Sequence, residues 1–306
     1  LASVLKRARR GLETFGFSLL VHGARGLSPR RARALGAAVG RFAFDRARIR
    51  REVAVRNVID HLRETDPERA DAIARGSYEV IGRTFVGLLR GDRIPEEETR
   101  DLLTPEQADT FRRLYAEGNG VLLLSAHFGD WETVLLAVQR LGIPVAALAG
   151  DQANSSVDRS VRALRRRAGV KPLSARRGLR DALRFLRDGG CVATLGDQDA
   201  RRRGIFIDFL GTPASTHTGV FSLARRTGAV VVFGVCVDRD DRRELRLSEP
   251  WRSDPEADEA EELRAGAVWY TRALEEEVRQ APDNYFWAHR RWKTSPPDAP
   301  PPGDEA

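Results

Sequence analysis

Among the 306 residues, those best suited by type to chemistry form one hexapeptide, His127-Phe128-Gly129-Asp130-Trp131-Glu132. An imidazole exchanges protons near neutral pH, and a carboxylate on its far ring nitrogen equips it as a general base. Spacing limits which acid can serve. Residues five apart on one continuous helix stand about 140° apart round its axis and cannot meet. His127 must therefore lie in a loop, with Glu132 in the first turn of the helix that follows. Gly129 permits such a turn and Asp130 suits the helix N-cap. This leaves Glu132 as the expected partner of His127, with Asp130 in support.

A second group is Asp197-Gln198-Asp199, followed by Arg201-Arg202-Arg203-Gly204. Two carboxylates one residue apart beyond a strand can hold a divalent metal on a nucleotide-sugar diphosphate, the arrangement of a metal-dependent glycosyltransferase. They can equally support His127. The arginines suit either a solvated face or the phosphates of a ligand. Other templates are absent: no Gly-x-Ser-x-Gly elbow, no P-loop and no His-Glu-x-x-His. The five histidines (22, 61, 127, 217 and 289) are too scattered along the chain to suggest a zinc site. Cys191 and Cys236 each border an apolar run and read as small core residues, with no disulfide framework.

Both groups need elements to hold them. Residues 121–126, 144–149, 191–195 and 229–237 are short apolar runs with the texture of buried strands, and 244–247 is a further strand. Helical spacing covers 131–141, 157–168, 178–188, 220–226 and 256–280, so strands alternate with helices. Before residue 120 only helices are expected, over 29–43, 49–62, 67–89 and 105–118. The expected fold is α/β, a mainly parallel central sheet flanked by helices, with a helical N-terminal region. The expected domains are a helical N-terminal region over 1–119, an α/β core over 120–295 and a disordered tail over 296–306. In such sheets ligands bind beyond the carboxyl ends of the strands, where His127 and Asp197 both fall.

Composition narrows the partners. The chain carries 42% hydrophobic and 31% charged residues, enough for a core and too polar for a multi-span membrane protein. Its net charge is +7 and Lys occurs only at 6, 171 and 293, so arginine supplies nearly all the positive charge and favours anionic partners. No run of about 18 apolar residues exists to span a bilayer. Leu1, Leu5, Ala8, Leu12, Phe15 and Leu19 form one helical stripe, with Lys6, Arg7, Arg9 and Arg10 mostly off it. That pattern fits either a surface helix docked on the domain or one lying in an anionic membrane interface.

Taken together, several blocks resemble one family. His127–Glu132 is similar to the His-x4-acid motif of glycerolipid acyltransferases, in the form used by the bacterial lipid A late acyltransferases. Residues 196–213, the stretch from Thr216 to Val232, and residues 282–293 resemble that family's later blocks in order. The resemblance implies transfer of a fatty acyl chain from a carrier thioester, acyl carrier protein or acyl-CoA, to a hydroxyl of a membrane glycolipid. A lipid A precursor is the expected acceptor, with mannosylated phosphatidylinositol or a lysophospholipid as alternatives. It implies His127 as base and Glu132 as its orienting carboxylate, with no covalent acyl-enzyme, metal, cofactor or nucleic acid. It places the enzyme at the cytoplasmic face of the bacterial inner membrane, peripheral or anchored. Many members carry an Arg soon after the second strand; residues 149–153 have none, and Arg159 or Arg162 is expected to stand in. Arg201, Arg290 and Arg291 are the other expected substrate contacts. Trp287, His289, Arg290, Arg291 and Trp292 are read as a latch, as part of the acceptor site, or as a C-terminal strand on the sheet.

Overall fold

The computed structural model describes residues 16–100, 102–150, 154–174, 178–239 and 242–297. The basic stripe over residues 1–15 and the tail beyond 297 lie outside them. Helix α1 is described over residues 16–25. It is followed by α2 (Pro29–Asp45), α3 (Arg51–Asn57) with a π-helical continuation over Val58–Leu62, α4 (Pro67–Arg90), α5 (Glu97–Arg100) and α6 (Pro105–Ala116). Ser28 and Asp66 cap α2 and α4 with Pro at the first turn, and Thr104 with Gln107 forms a capping box on α6.

Strand β1 (Val121–Ser125) opens the α/β part. Then come α7 (Trp131–Arg140), β2 (Val145–Ala149), α8 (Ser155–Arg167), β3 (Val170–Ser174), α9 (Gly178–Arg187) and β4 (Cys191–Leu195). After the hairpin β5 (Ile205–Phe209) and β6 (Thr212–Thr216) the chain continues through α10 (Gly219–Thr227), β7 (Val230–Arg239), β8 (Arg242–Leu247) and α11 (Glu259–Gln280). The sheet order is β3-β2-β4-β1-β7-β8, parallel except for the antiparallel edge strand β8. The α/β expectation with a helical front end therefore holds. Among the described residues, no helix is long and apolar enough to cross a membrane.

The period-two pattern of β1 divides the core. Leu122 and Leu124 face a cluster with Phe44, Tyr78, Phe221 and Tyr270, while Val121 and Leu123 face one with Phe111, Leu114 and Val138. Both faces of the sheet are thus covered by helices. The N-terminal helices are fastened to it by charge as well. Asp238 on β7 is fully buried and accepts from Arg33 of α2 at 2.6 Å and Arg83 of α4 at 3.0 Å. At the α2–α4 crossing a Cβ on Gly40 would stand 2.0 Å from the Tyr78 carbonyl oxygen, so only glycine lets the helices approach this closely.

Two elements depart from the sequence expectation. β3 contains Pro172 and was not expected to be a strand; it lies at the sheet edge, where a missing N–H costs no ladder bond. The β5–β6 hairpin turns through Leu210 and Gly211, both at positive φ, as a two-residue primed turn requires. The C-terminal strand expectation is corrected: residues 285–292 run as turns, and their one ladder-type pairing is an isolated bridge between Phe128 and Tyr285. Trp292 instead stacks on Phe209 at 5.5 Å and on His61 at 3.6 Å between ring centroids.

That stack carries a pH prediction. Burial pushes the His61 imidazole down to about 4. The fold therefore holds it neutral, whereas the unfolded chain takes up a proton near 6.5. The unfolded state binds more protons between those values, so stability falls as pH drops from about 6.5 towards 4. Discounted for solvent screening at this half-buried ring, the loss is about 1–2 kcal/mol. His61→Phe, which keeps the stack, should flatten the acid limb of Tm against pH by roughly 2–3 °C. An unchanged acid limb would show that His61 does not contribute to it.

Candidate active site

His127 and Asp197 come together because their strands are neighbours. β1 pairs with β4 so that Ser125 is opposite Leu195, and each functional residue lies two positions beyond that level pair. His127 Nδ1 stands 2.9 Å from Asp197 Oδ1, and Asp197 is fully buried. Burial alone would push the Asp197 carboxyl up, but His127 and then His289 outweigh it and hold the carboxyl well below the usual range. Asp197 is thus an ionised acceptor for an Nδ1–H, leaving Nε2 of His127 as the free base nitrogen.

The loop holding His127 is tightly tied. Gly129 has φ +56°, and a Cβ there would stand 1.8 Å from the Cys236 carbonyl oxygen, so the turn requires glycine. The N–H of Gly129 donates to the Asn284 carbonyl at 2.8 Å, and the N–H of Phe286 donates to the His127 carbonyl at 2.9 Å. Trp131 meets the His127 ring edge-on at 5.1 Å, and His289 does so at 4.4 Å. His289 Nδ1 lies 3.5 Å from the second oxygen of Asp197, and neither atom has a hydrogen-bond partner. Burial pushes the His289 imidazole down, only partly offset by Asp197.

Glu132 sits in the first turn of α7, as the spacing requires, but its carboxylate faces Arg165 of α8 in a two-pronged ion pair. Asp130 occupies the N-cap position without capping; its carboxylate accepts from Thr133 and from Arg243 at 3.0 Å. Asp199 accepts from the Arg201 N–H at 3.0 Å and from Thr294 at 2.8 Å. It is therefore absent from the metal-ligand-like group, which among the described residues joins Asp197 to His127 and His289. Scatter along the sequence concealed that two histidines meet in space. A paired-carboxylate metal site for a glycosyltransferase finds no support in this arrangement.

The expected arginines divide. Arg162 pairs with Asp158 and Arg159 donates to Ser156, both on their own helix. The cation at Glu132 is Arg165, which sequence reasoning missed. Its position four residues past Val161 puts it on the inward face of α8, the signal that was available. Arg201, with Asp199 and Lys293, lines a basic cleft that reaches Arg202 and Arg203 on one side and Arg50, His289 and Arg290 on the other. Arg291 is buried, donating to the Ser215 carbonyl and to Thr216 Oγ1 at 2.6 Å. Arg291→Gln should therefore lower Tm by several degrees, since buried hydrogen bonds from a charged donor are lost, each at about 1.5–3 kcal/mol. Exposed Arg290→Gln should leave Tm unchanged and weaken only the binding of an anionic acceptor. Equal melting losses would mean that both residues serve the latch.

Beside Trp131 lies a small apolar cavity of about 50 Å³, lined by Val134, Leu135, Ala147, Leu148 and Leu195, with Glu132 and Arg165 also in its wall. A second and smaller apolar cavity, of about 20 Å³, shares Glu132, Leu135 and Arg165 with the first. The arrangement is thus a part-buried imidazole on a buried carboxylate at strand ends, between an apolar slot and a basic cleft. The hexapeptide that carries His127 keeps the His-x4-acid form of an acyltransferase, although the carboxylate that meets the imidazole is Asp197 and not Glu132. Residues 6–294 match the family described as bacterial lipid A biosynthesis acyltransferase, and the chain belongs to it. It is 25% identical over 265 residues to the lipid A biosynthesis palmitoleoyltransferase of Escherichia coli K12, covering 86% of this chain and 85% of that protein. It is 26% identical over 271 residues to the lipid A biosynthesis lauroyltransferase of the same organism, covering 87% and 86%. A lipid A biosynthesis acyltransferase of Shigella flexneri is likewise 25% identical over 265 residues, covering 86% and 85%.

Proposed function

We propose that this acyltransferase moves a fatty acyl chain from a carrier thioester, acyl carrier protein or acyl-CoA, to a hydroxyl of a lipid A precursor. The observation that carries the reading is the His127–Asp197 contact set between the apolar slot and the basic cleft. In this reading the acyl chain lies in the slot beside Trp131, gaining about 0.8 kcal/mol per buried methylene. The phosphates of the acceptor lie among Arg201, Arg290 and Lys293. Nε2 of His127 takes the proton of the acceptor hydroxyl as its oxygen attacks the thioester carbonyl, while Asp197 accepts from Nδ1–H and stabilises the imidazolium. The tetrahedral intermediate then collapses with cleavage of the C–S bond, and the leaving thiolate takes the proton back from His127. The head of α7, like any helix start, presents N–H groups of the type that stabilises an oxyanion.

In the same reading residues 120–295 are the acyltransferase core, and 1–119 form a layer facing an anionic membrane surface at the cytoplasmic side of the inner membrane. The apolar stripe and basic residues of the first segment favour reversible attachment there, and Leu19 is 58% exposed at its end. The test is a reconstituted assay with the full chain, each acyl thioester, and a lipid A precursor or a neutral glycolipid. Free thiol should appear in step with the acylated lipid A precursor and should not fall in EDTA. Thiol release without an acylated lipid would remove the acceptor from the proposal, and no release from either donor would sink it.

A further inference from the structure

We propose that His127, Asp197 and His289 also form a binding site for a zinc-class divalent cation, and that this cation inhibits the enzyme. The inhibitory half rests on His127 being the base; the binding half does not. Three observations point to the site. One donor atom from each residue lies within 4.8 Å of the other two. Two of the contacts are already close, at 2.9 Å for His127 with Asp197 and 3.5 Å for His289 with Asp197. Asp197 Oδ2 and His289 Nδ1 are buried and have no hydrogen-bond partner, so a cation between them would satisfy both.

The donor chemistry selects the ion. Two imidazoles and one carboxylate suit zinc, cobalt, nickel or copper, whereas magnesium and calcium require mainly oxygen ligands. Metal–ligand bonds of about 2 Å put tetrahedral donors roughly 3.3 Å apart, so the three side chains need only small rotations to converge. A fourth position would be left to water. Asp199 is not available to complete the set, because Arg201 and Thr294 hold its two oxygens.

Inhibition follows from the tautomer of His127. In the active arrangement Nδ1 carries the proton towards Asp197 and Nε2 carries the lone pair. A cation bound through Nδ1 leaves the single imidazole proton on Nε2, and nothing remains to accept the proton of a hydroxyl. A cation bound through Nε2 occupies the lone pair itself. Either mode removes the base, and the site is therefore incompatible with turnover while it is filled.

The experiment uses the purified full chain, with Zn²⁺ followed by calorimetry and Co²⁺ by its visible absorption. One ion should bind per chain, and His127→Gln or His289→Gln should each weaken it at least tenfold. His217→Gln, in the same basic cleft but outside the cluster, should leave binding unchanged. Both cluster substitutions retain a donor towards Asp197, and unchanged melting confirms that lost binding is not lost fold. In the thioester assay Zn²⁺ should inhibit the parent and EDTA restore it, while His289→Gln should raise the inhibitory concentration at least tenfold relative to its own uninhibited rate. Binding that survives both cluster substitutions, or no one-to-one binding, overturns the proposal. One-to-one binding lost in both variants, in a chain that transfers no acyl group, upholds the site while removing the enzymatic reading.

Discussion

His127→Asn is expected to reduce acyl transfer by roughly 10²- to 10⁴-fold, the usual contribution of a positioned general base. Asn is the informative replacement. Its amide can still donate towards Asp197, which is fully buried and would otherwise lose the donor at its Oδ1. His127→Ala removes that donor, and should therefore add a loss of melting temperature to the same loss of rate. Asp197→Asn should cost a comparable factor in kcat with little change in KM, because it retains a hydrogen-bond acceptor but lacks the charge that stabilises the imidazolium. Rates are to be measured under single-turnover conditions, alongside melting curves. If Glu132→Gln instead cripples the rate at unchanged melting, and Asp197→Asn is harmless, then Glu132 orients His127 as the spacing alone suggests.

The second large effect is on stability. Glu132 and Arg165 retain only 10% and 16% side-chain exposure, and the Glu132 charge is the main reason the Arg165 guanidinium is held so firmly protonated. Glu132→Ala leaves a buried cation without its counterion, which should cost about 3–5 kcal/mol, or on the order of 10 °C in Tm. Replacing both partners by Leu should recover most of that loss, since a well-packed apolar pair of similar volume does as well as a buried ion pair. Denaturant melts of the single and double variants decide the matter. A single variant within about 1 kcal/mol of the parent would mean that the pair is solvated.

These two outcomes bear on what the sequence could convey. The strands β1, β4 and β7 were legible because each is a continuous apolar run, and the starts of α2, α4 and α6 because Ser28, Asp66 and Thr104 precede Pro. β3 was hidden by Pro172, which reads as a strand breaker unless the strand is known to lie at an edge. The position of His127 in a loop before Glu132 was also legible, being local geometry. Its carboxylate was not. Asp197 was visible as a strand-end residue, but only the sheet order, with β4 beside β1, makes it the neighbour of His127. Pairing between parallel strands is set by crossovers of many residues and leaves no local trace. His289 was named in the C-terminal block, but its meeting with His127 was not legible, since it depends on the turns that follow α11.

The hold on the His127 loop has a consequence for when the enzyme comes into being. His127 leaves the ribosome early, yet several groups that fix it arrive much later: Asp197, the carbonyl of Asn284, the N–H of Phe286 and the ring of His289. The last of these are in turn anchored backwards in the chain, where Asn57 donates to the carbonyls of Trp287 at 2.7 Å and His289 at 2.9 Å. The centre is thus closed by contacts of long sequence separation, which form last in folding. A nascent or truncated chain that ends before residue 284 has the strand-end loop and the apolar slot but lacks this closing segment. In the proposed reading a chain still short of residue 289 therefore lacks its assembled centre, however complete its sheet.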